Sequence, residues 1–157
     1  MIDINRFCGD NLGGVIEFTF IPSRDVLSIP TPIDGKVLEE IELKPYKQWY
    51  RGYGTLETMG YEEDTNSTKH GTLYSKKFVS IVPKILPEYT NLFHEMRNEN
   101  FIVVGRDSNN IKTIYGSIEE PLKFKNTKNT KVKIAERNEI AITFFGDGTK
   151  PSYAYCI

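Results

Sequence analysis

The chain has 157 residues, with 20 Lys and Arg against 21 Asp and Glu, so it is about one domain long and carries no net field that would recruit nucleic acid or an anionic membrane. Nine Phe, nine Tyr and one Trp suit half-buried pleated surfaces and protein contacts. No stretch approaches the roughly 18 apolar residues of a membrane span, and Met1–Cys8 lacks a basic-then-apolar leader, which predicts a protein made and used in the cytosol. Cys8 and Cys156 then read as reduced, partly buried thiols, with a disulfide joining the two ends of the chain as the alternative.

The glycine-rich run Cys8–Gly14 reads as a turn into a strand at Val15–Phe20, where Ile16, Phe18 and Phe20 face one way and Glu17 and Thr19 the other. Pro22 ends that strand. Pro30 and Pro32 interrupt Val26, Leu27, Ile29 and Ile33, so this stretch predicts loop and short edge strand, followed by strand around Val37, Leu38, Ile41 and Leu43, with a helical turn as the alternative there. Glu62–Gly71 offers no apolar residue to bury, which predicts the polar tip of a long hairpin returning through Thr72–Val82. Two long strands around such a tip would form an arm reaching beyond the body.

One segment breaks the period of two. Tyr89, Leu92, Phe93 and Met96 fall at helical spacing, while Glu88, Asn91, Glu95 and Arg97 take the wetter side. Pro87 suits a first helical position because its missing N–H would be unpaired there anyway, so Pro87–Glu99 predicts an amphipathic helix. Phe101–Gly105 is apolar throughout, the mark of a strand buried on both faces. It is expected to be the central strand under the helix, with Leu92, Phe93, Met96, Phe101 and Val103 sharing one core. Arg106–Asn110 predicts a turn and Ile111–Gly116 its hairpin partner. Leu122–Phe124, Val132–Ile134 and Ile140–Phe145 continue a meander, Gly146–Thr149 reads as a tight turn, and Ser152–Ile157 as the last strand. The fold class predicted is mainly β (α+β): a single domain over residues 1–157, an antiparallel barrel or sandwich with one flanking helix and a long protruding hairpin.

Groups that could carry chemistry are scattered. Cys8, Cys156, His70 and His94 include none of the short spacings that nucleate a zinc site, and neither cysteine sits at a strand-to-helix elbow where a nucleophile is presented. Gly9–Gly14 lacks the Gly-Lys-Ser/Thr ending of a phosphate loop and leads into a strand. Asp107-x-Asn109 opens like a calcium loop, but Lys112 stands where that loop needs Gly and Ile118 where it needs a bidentate Glu. No catalytic, cofactor-binding or metal-ligating residue is assigned, and no enzyme activity is expected. Charge is nevertheless uneven. Glu57, Glu62, Glu63 and Asp64 form an acidic stretch, whereas Lys123, Lys125, Lys128, Lys131, Lys133 and Arg137 face a single acid, Glu136. With only Phe124 interleaved as a stacking platform, a nucleic-acid groove is poorly supported. A contact between copies, with Glu57, Glu62, Glu63 and Asp64 of one meeting Lys123, Lys131 and Lys133 of the next, accounts for the asymmetry at least as well as a phosphate backbone does.

The layout resembles the small ring-forming proteins of tailed bacteriophages, the tail-tube and tail-tube-like neck or ring proteins. The phrases that carry the resemblance are Gly13-Gly14 before the first strand, Gly71-Thr72-Leu73-Tyr74, Val82-Pro83-Lys84 before the helix, Phe101–Val104 with Asp107-Ser108-Asn109, Tyr115-Gly116-Ser117, and Pro121–Phe124. It implies a virion structural protein of the tail or neck, made in the host cytoplasm, that assembles with itself into rings of roughly six copies or a multiple. It also implies neighbouring tail or neck proteins as partners, genomic DNA passing through the lumen without sequence-specific binding, no membrane, and an intersubunit hairpin here placed at Tyr53–Phe78. The competing reading is a monomeric binding module for carbohydrate or nucleic acid, with Trp49, Tyr50 and Tyr53 as its platform.

Overall fold

A computed structural model describes residues 13–130 and 138–157. The chain forms β1 (Val15–Pro22), β2 (Val26–Ser28), β3 (Lys36–Val37), β4 (Glu42–Leu43), β5 (Tyr50–Arg51), β6 (Gly60–Thr68), β7 (Gly71–Pro83), α1 (Glu88–Met96), β8 (Asn100–Asp107), β9 (Lys112–Tyr115), β10 (Leu122–Asn129), β11 (Glu139–Gly148) and β12 (Tyr153–Tyr155). It is mainly β with one helix, the expected class. Ten strands join one mixed sheet in the order β3-β12-β9-β8-β10-β11-β7-β6, with β1 added along β8 and β5 along β1; β2 and β4 pair separately.

β8 is where the sheet forks. One of its edges pairs with β1 from Phe101 to Asp107, while the other is shared, Val103–Arg106 going to β9 and Asn100–Phe101 to β10. Every residue from Phe101 to Gly105 is buried, as the unbroken apolar run demands. Because side chains alternate across a strand, Phe101 and Val103 enter one core and Ile102 and Val104 another. The first core holds Phe18, Phe78, Phe124 and Phe144, whose rings meet at centroid distances of 4.8–6.3 Å. The second lies under the segment from Val26 to Leu43, with Val37, Ile41 and Ile114 at its centre.

The sheet curls around the first core without closing a barrel. A single bond from Val15 N–H to the Met59 carbonyl (3.1 Å) links β1 to the start of β6. The remaining gap is filled by an extended segment whose Gly52 N–H reaches the Phe18 carbonyl and whose Thr55 N–H reaches the Ile81 carbonyl, both at 2.9 Å. Glycine is required there, since a Cβ on Gly52 would overlap the Phe18 ring and one on Gly54 would overlap the buried Ser80 hydroxyl.

Several expectations are corrected. Glu62–Thr68 is strand, and the turn is only Lys69–His70; the ladder to β7 holds β6 extended although its side chains bury little. β11 runs through Gly148, so Gly146–Gly148 is strand instead of turn, again because β7 pairs with it residue by residue. Phe93 and Met96 are buried, but Leu92 is 46% exposed, since α1 lies against β10 and presents a narrower stripe than its sequence offers. β8 is central, yet the helix contacts Phe124 of β10 and not β8 squarely. Cys156 is exposed, not partly buried. Cys8, Lys131, Lys133 and the strand expected at Val132–Ile134 lie outside the described residues.

Candidate assembly surface

β6 and β7 pair without a break from Gly60↔Val79 to Thr68↔Gly71. On its other side β7 pairs with β11 only as far as Tyr74↔Gly148, so the pairs Asn66↔Leu73, Ser67↔Thr72 and Thr68↔Gly71 project as a two-stranded end. Thr68 fastens that end, its hydroxyl donating to the Gly71 carbonyl (2.8 Å) and accepting from the His70 N–H (3.2 Å). β6 is also the last strand of the sheet, and among the described residues no strand pairs with its outer edge. Such an edge is a row of unpaired backbone donors and acceptors able to receive another strand.

Alternation along β6 divides the acids. Glu62 and Asp64 are exposed, and Glu62 stands opposite Lys77. Glu63 points the other way and is engaged within the chain: its Oε2 accepts from the Tyr61 hydroxyl (2.6 Å), the Ser152 hydroxyl (2.7 Å) and the Ser152 N–H (3.0 Å). Tyr61 in turn stacks on Tyr115 at 3.8 Å. Burial, then the neighbouring Glu63 carboxylate, pushes the Tyr61 phenol well above its ordinary range, and burial pushes Tyr115 up to about 12. Both therefore stay neutral and act as packing and donor groups.

Glu57 is exposed on the approach to β6, in a left-handed turn with φ 66°. Lys123 is exposed on β10, three strand spacings from β6 with β11 and β7 between, or about 14 Å at ordinary strand spacing. Lys123, Phe145, Lys77 and Glu62 fall in one cross-strand row, so the acidic and basic groups share a face of the sheet, Glu62 at its edge and Lys123 further in. The sequence reading missed two exposed apolar groups of the segment leading into β6, Tyr46 and Leu56, and offered their exposed neighbour Tyr53 only as part of a ligand platform. It also missed the Tyr61–Glu63–Ser152 cluster, whose signal was the Tyr-x-Glu spacing that puts both side chains on one strand face.

The aromatic platform is not assembled. Trp49 packs on the second core, Tyr50 stacks on Phe20 at 5.9 Å, and Tyr53 is 62% exposed. His70 and His94 are exposed and far apart in the fold, on the hairpin turn and on α1, and no group of three His, Cys, Asp or Glu suited to a metal occurs among the described residues. No helix of the described residues is long and apolar enough to cross a membrane. No family model, curated protein or solved structure matches the chain.

Proposed function

We propose that this chain is a virion structural subunit that assembles with itself into rings of a tailed-phage tail tube or head–tail connector, forming a conduit for the genome. The observation that carries the reading is the β6–β7 hairpin, which combines an outer edge unpaired among the described residues with a projecting end that contributes nothing to either core. A near-neutral chain with acidic groups at the β6 edge and a basic group three strands away suits contact between identical copies, because a heterologous interface brings one surface of a subunit against a different surface of the next. Glu62 and Asp64 on β6 and Lys123 on β10 are the charged groups assigned to that contact, with Lys131 and Lys133 beside them in sequence.

The test is to replace Asn66–Leu73 by Asn-Gly, joining Thr65 to Tyr74 through a two-residue hairpin turn. The ladder to β11 and the Glu63 cluster are untouched, so thermal unfolding should be unchanged while mass photometry finds monomers in place of rings. Rings of unaltered mass from the shortened chain, or a full-length chain that remains monomeric at high concentration, would reject the assembly reading.

A further inference from the structure

The outer face of the sheet, the side of β10, β11, β7 and β6 turned away from the first core, carries charge in a fixed order. Lys123 of β10 pairs with Phe145 of β11, Phe145 with Lys77 of β7, and Lys77 with Glu62 of β6. Lys123, Lys77 and Glu62 are exposed and Phe145 is half-buried. Among the described residues none of the three charged groups has an ion-pair partner. The next row along the strands is Lys125, Thr143, Val79 and Gly60, and Ala141 stands beside Ile81 in the row after it. Away from the first row, the middle strands β11 and β7 therefore offer short, mostly apolar side chains, with long charged ones on the strands to either side.

Read from its other end, the charged row is complementary to itself. When two copies lay these faces together about a two-fold axis parallel to the strands, the strand order reverses and row meets row. Lys123 of each copy then faces Glu62 of the other, and Phe145 of each lies along the aliphatic stem of Lys77 of the other. Asp64, two residues beyond Glu62 and exposed on the same face, lies diagonal to Lys123, and Lys125 lies diagonal to Glu62, so bases meet acids at both borders. A two-fold axis across the strands would keep the strand order and set β10 on β10, base against base. Packed sheets lie about 10 Å apart, a gap that facing Lys and Glu side chains span. A polyanion suits the lysines of the row but is repelled by Glu62 and Asp64 at its end.

We propose that the outer face of β10, β11, β7 and β6 is a two-fold contact between copies, with Glu62 and Lys123 paired across it and Val79, Ile81 and Ala141 covered at its centre. It rests on the assembly reading for its partner, a second copy, and adds a symmetry. A ring that uses it has an even number of copies, this contact alternating with one through the β6 edge and hairpin end.

Cross-linking of the full-length protein tests the symmetry whether or not rings form. Gly60→Cys and Lys125→Cys are introduced together into a chain carrying Cys8→Ser and Cys156→Ser. Gly60 has open space where a Cβ would stand, and within one copy the two positions are three strand spacings apart, about 14 Å, whereas across the axis they face each other. A bismaleimide too short to join them within one chain should give a covalent dimer and nothing longer, because both links connect the same two copies; either cysteine alone should give none. Glu62→Lys in the two-cysteine chain should lower the dimer yield by about tenfold, since it turns two pairs from attraction to repulsion, and adding Lys123→Glu should restore it. A ladder of longer products would make the contact head-to-tail and overturn the two-fold. The face contact is overturned by no cross-linked product, by equal product from one cysteine alone, by a yield that ignores Glu62→Lys, or by no rescue from Lys123→Glu. Failure of the ring reading is seen separately, in the mass of the hairpin-shortened chain.

Discussion

The outer edges of β10 and β6 pose the same problem, a run of backbone donors and acceptors with no neighbouring strand, and the chain treats them differently. Beyond Lys123, β10 leaves β8 and would be bare, but α1 lies along it. Phe93 packs on Phe124 at 5.6 Å, Arg97 Nε donates to Asn126 Oδ1 (3.1 Å) and Lys128 Nζ to Thr90 Oγ1 (2.8 Å). Among the described residues β6 has no such cover, only Glu62 and Asp64 on its exposed face. Charge on an edge discourages indiscriminate strand pairing while leaving the edge open to a partner of opposite charge. The difference separates a flank closed by the chain's own helix from one that, among the described residues, stays uncovered.

The largest effect is expected where the covered flank meets the core. Phe93→Ala removes a ring that is 5% exposed and should lower the unfolding free energy by about 3–5 kcal/mol in a denaturant titration. A loss below about 1 kcal/mol would mean that the helix caps the edge without anchoring it. On the other flank, Glu63→Gln leaves the Tyr61 and Ser152 donors short of a charged acceptor and should cost about 1–3 kcal/mol. Its neighbour Glu62→Gln, exposed on the opposite face, should stay within about 0.5 kcal/mol. Equal effects from the two would dissolve the distinction between the faces of β6.

Leu92→Ala on α1, next to Phe93 but 46% exposed, should likewise stay within about 0.5 kcal/mol. The pair Glu62→Lys and Asp64→Lys should leave unfolding nearly unchanged and weaken assembly as added salt does, since exposed charges are screened beyond about 8 Å at physiological ionic strength. Sedimentation at two salt concentrations reads this, and assembly that ignores both changes would remove charge from the contact. Lys76 adds a pH signature at the inner face of β7. Its folded pKa is lowered, chiefly by burial, so above that value the unfolded chain binds more protons than the folded one. Stability relative to Lys76→Met should then rise with pH from the folded pKa towards the unfolded value of about 10.4. A flat difference across chemical denaturation curves up to that pH would show an amine that is effectively solvated.

Local chemistry settled a large part of this molecule in advance. The period of two from Glu17 to Phe20, the helical stripe containing Phe93 and Met96, the doubly buried run Phe101–Gly105 and the turn at Asp107–Asn110 each follow from neighbours within a few residues, whereas a bulge between Val15 and Glu17 puts Val15 instead of Ile16 in the core with Phe18. The turn shows this at atomic level, for Asp107 Oδ1 accepts the N–H groups of both Asn109 and Ile111 and Asn110 takes φ 63°. What the sequence could not indicate depends on residues distant along the chain. Glu62–Thr68 and Gly146–Gly148 look like turns in isolation and are strands only because β7 supplies a ladder to both. Leu92 belongs to the apolar stripe, yet the angle at which α1 meets β10 leaves it in solvent. Glu63, read with Glu62 and Asp64 as part of an acidic hairpin tip, is an internal acceptor because Ser152 arrives from 89 residues away. Periodicity decides which face a side chain takes; only the assembled sheet decides whether that face meets water, a core or another strand.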